Sequence, residues 1–211
     1  MAVFRAITAE EEAASGVMRC VIEMQYPSCD ALNPHDHAHK HAVFPYMQVL
    51  QLFFGQTLKK HFESYNLHIK EVDGARRLTI ALNVSINGVQ QLAYPVPPLN
   101  FGVSSTDTDG MPDYSIQINQ LIAAKGKESV KAFLKSEANV RNEVLYAGPD
   151  GYPVIPTLDE SFVLERRRRV LAMVNLYLLI YPYPEHQPFV TQALSSFVKM
   201  LKHLKRSRSA A

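Results

Sequence analysis

A chain of 211 residues is long enough to bury a core without disulfide or metal staples, and it fits one domain, 1–211, better than two. Its composition, 47% hydrophobic and 20% charged, excludes wholesale disorder and a coiled coil. A net charge of +2 does not identify a nucleic-acid binder, because such binding relies on a basic surface that displaces counterions.

Residues Met1 to Ala14 hold no apolar stretch of signal-peptide length, since Glu10, Glu11 and Glu12 arrive too early. Thr8 followed by Glu11 has the spacing of a capping box, which predicts a helix from there to about Met24. Tyr26-Pro27 breaks it. Cys20 and Cys29, without an export signal, are expected to be reduced thiols in a cytoplasmic protein.

Pro34 opens a histidine-rich segment, and a second helix is predicted from about His39 to Ser64. Its apolar positions Val43, Met47, Leu50, Phe54 and Leu58 step by three or four, and Pro45 is read as lying in its first turns. The period then becomes two. Leu78, Ile80, Leu82, Val84 and Ile86 alternate with smaller or polar residues, the pattern of a half-buried strand. Asp73-Gly74 and Asn87-Gly88 supply the φ > 0 positions of tight hairpins, so strands near Leu67–Val72 and Val89–Tyr94 complete a meander over 66–95. Pro95, Pro97 and Pro98 close it.

Residues 102–113 read as a polar loop. A long helix is predicted over Asp113–Tyr146, interrupted around Gly126, and Gly148-Pro149-Asp150-Gly151-Tyr152-Pro153 stops it. Helices from Asp159 to Tyr181 and from about Pro188 to Lys205 finish the chain, with a basic tail at 205–211 expected to be disordered. The longest apolar run, Val170 to Tyr181, is 12 residues, short of the ~20 that cross a bilayer. The fold class is therefore mainly α (α+β): a helical bundle with an inserted short antiparallel β-meander.

Three constellations carry chemistry. His35, His37, His39 and His41 recur at every second position. On an extended chain they would share one side, and neutral imidazole suits zinc, nickel or copper, with Cys29 or Asp36 as further ligands. The paired spacing of a structural zinc site is missing, so the same residues also read as a polar helix entry, and no cofactor is expected. Glu165 precedes four successive arginines, of which Arg166 and Arg169 share a helix face with Phe162 and Met173 while Arg167 and Arg168 point elsewhere. Lys199, Lys202, Lys205, Arg206 and Arg208 crowd the C-terminal end. Finally, Arg141 shares the apolar face of Leu134, Ala138 and Leu145, where a cation needs either a partner such as Glu137 or a ligand. With Asn142 and Tyr146 beside it, it could grip a phosphate.

The run from Arg141 to Tyr146 resembles the motif of the HEPN superfamily of helical bundles: arginine, a polar residue, three variable residues, then histidine. Here Arg141, Asn142 and the spacer match, and Tyr146 stands in the histidine position. The segment from Glu10 to Met47 is loosely similar to abortive-infection members. The resemblance implies metal-independent RNA cleavage at a dimer groove, or a catalytically inactive relative in bacterial antiviral defence. A phenol of pKa ~10 moves protons poorly near neutrality, which favours the inactive alternative. The meander is not a standard part of such bundles.

The expectation is thus a cytoplasmic, homo-oligomeric protein, outside the membrane, that binds RNA or a partner protein and regulates. The alternatives are an enzyme centred on His35–His41 and an assembly subunit without a site. Asp107-Thr108-Asp109-Gly110 opens like a calcium loop, but its twelfth position is Ile118.

Overall fold

The computed structural model describes residues 2–56, 64–104, 114–129, 132–136 and 160–206, with side chains of the last helix described through Lys202. It is mainly helical with one antiparallel sheet, as the hydrophobic periods predict. Helix α1 spans Ala2–Glu23, α2 His37–Gln56, α3 Ser115–Ala124, α4 Glu160–Ile180 and α5 Pro188–Arg206. Strands β1 (Ser64–Val72), β2 (Ala75–Ile86) and β3 (Val89–Ala93) form a sheet in the order β1-β2-β3.

Helix α1 begins six residues before the expected cap. Thr8 lies inside it, its hydroxyl donating to the Phe4 carbonyl at 3.0 Å, so it back-bonds within the helix instead of capping it. The buried stripe of α1 includes Ile7, Ala14, Val17, Met18 and Val21, the helical period, and it also includes Glu10 and Glu11. At Tyr26 the chain turns, and a one-turn 3-10 segment at Cys29–Ala31 leads toward α2. The α2 start is set by Asp36, whose carboxylate accepts the Ala38 N–H at 2.8 Å. Pro45 therefore falls in the third turn, later than predicted. It withholds an N–H from the His41 carbonyl, a cost that burial of Tyr46, Val49 and Phe53 on the following turns offsets. Ser64, expected at the end of this helix, is instead the first residue of β1.

Both hairpins follow the turn chemistry. Asp73 and Gly74 have φ of 50° and 74°, Asn87 and Gly88 of 53° and 77°, the paired positive angles of a two-residue hairpin turn. The register sets Leu67 opposite Ile80 and Leu82 opposite Ala93. Burial in β2 departs from simple alternation: Thr79, Ile80 and Ala81 are all buried, because α4 packs against this strand and the helical core covers it as well. The meander is thus built into the core at its centre and exposed at its ends.

Gly126, at φ 62°, ends α3. The Lys127 N–H reaches the Ile122 carbonyl and the Gly126 N–H reaches that of Ala123, the paired bonds of a Schellman stop. Residues 132–136 are helical. The predicted continuation to Tyr146, the stop at 148–153 and most of the 102–113 loop lie outside the described residues. Helix α5 carries Lys205 and Arg206 within it, and the rest of the tail also lies outside. Among the described residues no helix is long and apolar enough to cross a membrane.

Gln187 ties the corner between α4 and α5 to the rest of the molecule. Wholly buried, its side-chain oxygen accepts the Leu99 N–H at 2.7 Å, its amide donates to the Leu179 carbonyl at 2.8 Å, and its own N–H donates to the Tyr26 hydroxyl at 3.0 Å. Tyr183 donates to the Leu78 carbonyl at 2.8 Å, fastening the same corner to the sheet.

The two thiols are chemically unequal. Cys20 is buried on α1, and desolvation, helped by the charge of Glu23, pushes its pKa up to about 11. Cys29 is free and only half-buried. At pH 8 a thiol-specific disulfide reagent should therefore modify one cysteine of the native protein rapidly and the second only on unfolding. Equal rates for both, or a fast site that survives Cys29→Ser, would refute this placement of α1.

Candidate functional site

The chain gathers its charged side chains where α1, α2 and α4 meet. Glu10 is 7% exposed and faces α4. Its Oε2 accepts Arg166 Nη1 at 2.5 Å, and its Oε1 accepts Arg169 Nη1 at 3.3 Å. Arg169 reaches back with Nε to Glu165 Oε1 at 3.3 Å. Each guanidinium also lies over a ring, Arg166 over Phe162 at 4.8 Å and Arg169 over Phe44 of α2 at 4.9 Å.

Glu11, 8% exposed, faces α2. Its Oε1 lies 3.2 Å from His37 Nδ1 and 3.2 Å from His41 Nε2. The two imidazoles come together because they are four residues apart on a helix, one turn above the other. The extended geometry expected for the segment does not occur: α2 has already begun at His37, and a helix turns alternate residues away from each other. His39 thus lies buried away from this pair. Its Nδ1 accepts the Asn33 N–H at 3.0 Å, which requires that nitrogen to be unprotonated, and its Nε2 stands 3.9 Å from Asp36 Oδ2. His35 is exposed, with its backbone N–H held by Asn33 Oδ1. The four histidines do not converge. Among the described residues no group of three or more His, Cys, Asp or Glu side chains is arranged to hold a metal ion.

Of the expected binding arginines, Arg166 and Arg169 are committed to Glu10, while Arg167 and Arg168 are exposed on the other side of α4. The motif residues Arg141, Asn142 and Tyr146, and the ion-pair candidate Glu137, lie outside the described residues. Sequence reasoning missed Glu10 and Glu11 as site residues. The available signal was their position in the apolar stripe of α1, between Ile7 and Ala14, where a carboxylate must find a cation or donor.

A second feature has no polar counterpart in the sequence. Helices α1, α2, α4 and α5, with β1 and β2, line an apolar cavity of about 650 Å³ that is partly open to solvent. Met18, Phe54, Leu82, Leu176, Val190 and Phe197 are among the side chains on its wall. Gln48 and Gln51 of α2 and Asn175 of α4 add three amides, and its described lining includes no Asp, Glu, Lys or Arg. Phe44 belongs to both features, lining the cavity while its ring carries Arg169. Burial pushes up the phenols of Tyr26, Tyr46 and Tyr183, and that of Tyr114 to about 12, so these hydroxyls are donors rather than bases near neutrality.

No protein-family model, curated protein or solved structure matches the chain.

The Glu10 network is testable as a buried ion pair. Arg166→Ala should destabilise the protein by ~1.5–3 kcal/mol in urea unfolding, because it removes the shorter of two charged hydrogen bonds on the buried Glu10 carboxylate and leaves it to Arg169 alone, whereas Glu10→Leu combined with Arg166→Met should recover most of the loss. Arg167→Ala should change stability by no more than ~0.5 kcal/mol. A double variant no better than Arg166→Ala would contradict the pairing.

Proposed function

We propose that this protein binds a small, uncharged, largely apolar molecule in the cavity between its helices and its sheet, acting as a carrier or sensor. The observation that supports the reading is the cavity itself. A space of about 650 Å³ falls within the ~300–1,000 Å³ range of ligand pockets. Its wall is overwhelmingly apolar, so a ligand seated there would gain from the removal of apolar surface from water. The amides of Gln48, Gln51 and Asn175 each offer a donor and an acceptor, which suits a hydroxyl or carbonyl on the ligand. With no cation on the described wall, a carboxylate would enter at the cost of its hydration.

A ligand of about 20 to 25 heavy atoms at ~0.3 kcal/mol per atom gains roughly 6–8 kcal/mol, which corresponds to micromolar affinity. An apolar fluorescent dye should therefore bind saturably and be displaced by oleyl alcohol more effectively than by oleate. Calorimetry should give the negative heat-capacity change of apolar burial. Ala193→Phe, which fills the cavity from α5, should abolish dye binding while leaving the circular dichroism spectrum intact. A folded Ala193→Phe protein that binds the dye as before would refute the assignment.

A second reading keeps the protein in nucleic-acid regulation, as an inactive HEPN-like member of bacterial defence. It is favoured by the exposure of Arg167 and Arg168 on α4, which leaves two cations open to phosphate. Replacing both with glutamate should weaken RNA binding and reduce its salt dependence. Unchanged binding, or none in the starting protein, would end this reading.

A further inference from the structure

The sheet has two outer strands, and they are treated differently. β3 is five residues long and runs into Pro95, Pro97 and Pro98, short and closed by residues that cannot extend a ladder. β1 is nine residues long, contains no proline, and pairs with β2 alone among the described residues. Its apolar side chains are also open: Tyr65 is 51% exposed, Leu67 43% and Ile69 63%. These three alternate, so they share one face of the sheet, the face whose partners on β2 are Leu82, Ile80 and Leu78. A long edge with exposed apolar side chains is one that folded proteins ordinarily cover or charge.

We propose that β1 is the interface between two copies of this chain, which pair edge to edge into a continuous six-stranded antiparallel sheet with its two-fold axis at Leu67. The strand's own sequence argues for a second copy as the occupant. A two-fold axis beside a strand makes the new pairing antiparallel, and residues directly opposite in such a pair lie on the same face. With the axis at Leu67, Leu67 meets Leu67 of the partner subunit and Tyr65 meets Ile69 of the partner subunit, an aromatic against a β-branched side chain. On the opposite face Asn66 meets His68 of the partner subunit and Ser64 meets Lys70 of the partner subunit, polar against polar. Moving the axis to His68 sets Tyr65 against Glu71 of the partner subunit and loses this match. Tyr65 and Leu67 also line the apolar cavity, so the second copy would extend the wall of the ligand site, although the pairing is argued from the strand alone.

An interface of one strand belongs to the small, reversible class, so the full chain should be measured at about 100 µM. Light scattering should then give about twice the chain mass of 23.8 kDa. Ile69→Lys, at a position that does not line the cavity, should restore the monomer mass with the fold intact. Should that variant not fold, mild oxidation in a Cys29→Ser background decides the question. Leu67→Cys should form a disulfide-linked dimer in high yield, and His68→Cys should not. A monomeric native chain would overturn the proposal. So would a dimer of undiminished strength in folded Ile69→Lys, or cross-linking through His68→Cys and not through Leu67→Cys.

Discussion

Two carboxylates side by side on one buried helix face constrain how the remaining helices pack. Glu10 and Glu11 follow each other on α1, so their side chains diverge by about 100° and cannot share one partner. One must be met from α4 and the other from α2. Burying an uncompensated carboxylate costs several kcal/mol, comparable to the whole stability of a domain. A slide of α2 or α4 by one turn would leave the acid that faces it only one of its two partners, since His37 and His41, like Arg166 and Arg169, stand about one turn apart. The charges thus favour the observed packing, in which both acids keep both partners.

The same requirement separates the molecule into two chemically distinct parts. At the Glu10 and Glu11 level the interhelical space is filled by ions and rings. Further along α1, at Val17, Met18 and Val21, it opens into a cavity without a charged residue on its described wall. Phe44 marks the boundary, carrying the Arg169 guanidinium while lining the cavity. A cation held over its ring is engaged there, so the described wall of the cavity remains without charge although Arg169 lies against one of its residues. This is a physical reason to look for an uncharged ligand.

Much of the fold was legible because hydrophobic period and turn chemistry are local. The change from period four to period two between Phe54 and Leu78, and the two dipeptides ending in Gly74 and Gly88, located the meander from sequence. The errors came from local signals that tertiary context overrode. Thr8 and Glu11 have capping-box spacing, but Glu11 is taken by histidines from another helix and Thr8 bonds inside its own. The histidines looked like one row because the segment was read as extended, and one cap at Asp36 is enough to make it a helix. Arg166 and Arg169 were placed on the face that includes Phe162, correctly. Their partner could not be named, because Glu10 lies 156 residues away and nothing in the spacing of either segment encodes that distance. The cavity was invisible for a different reason: apolar residues that line a space and apolar residues that fill one have the same periodicity.

The meander, read from sequence as an insertion into a helical bundle, has a larger part than that word implies. Ile80 and Leu82 of β2 are among the cavity-lining residues, and Tyr65 and Leu67 carry that wall outward along β1, the outer strand of the sheet among the described residues. The remaining tie is Tyr183, whose hydroxyl holds the Leu78 carbonyl while Gln187, four residues on, is fixed by three hydrogen bonds of its own. Removing the sheet would therefore take away one wall of the cavity and release the α4–α5 corner at the same time. A helical bundle that merely tolerated an insertion would keep its core closed without it. This one uses β2 as a core element, which is why Thr79, Ile80 and Ala81 are buried in succession where a half-exposed strand would alternate.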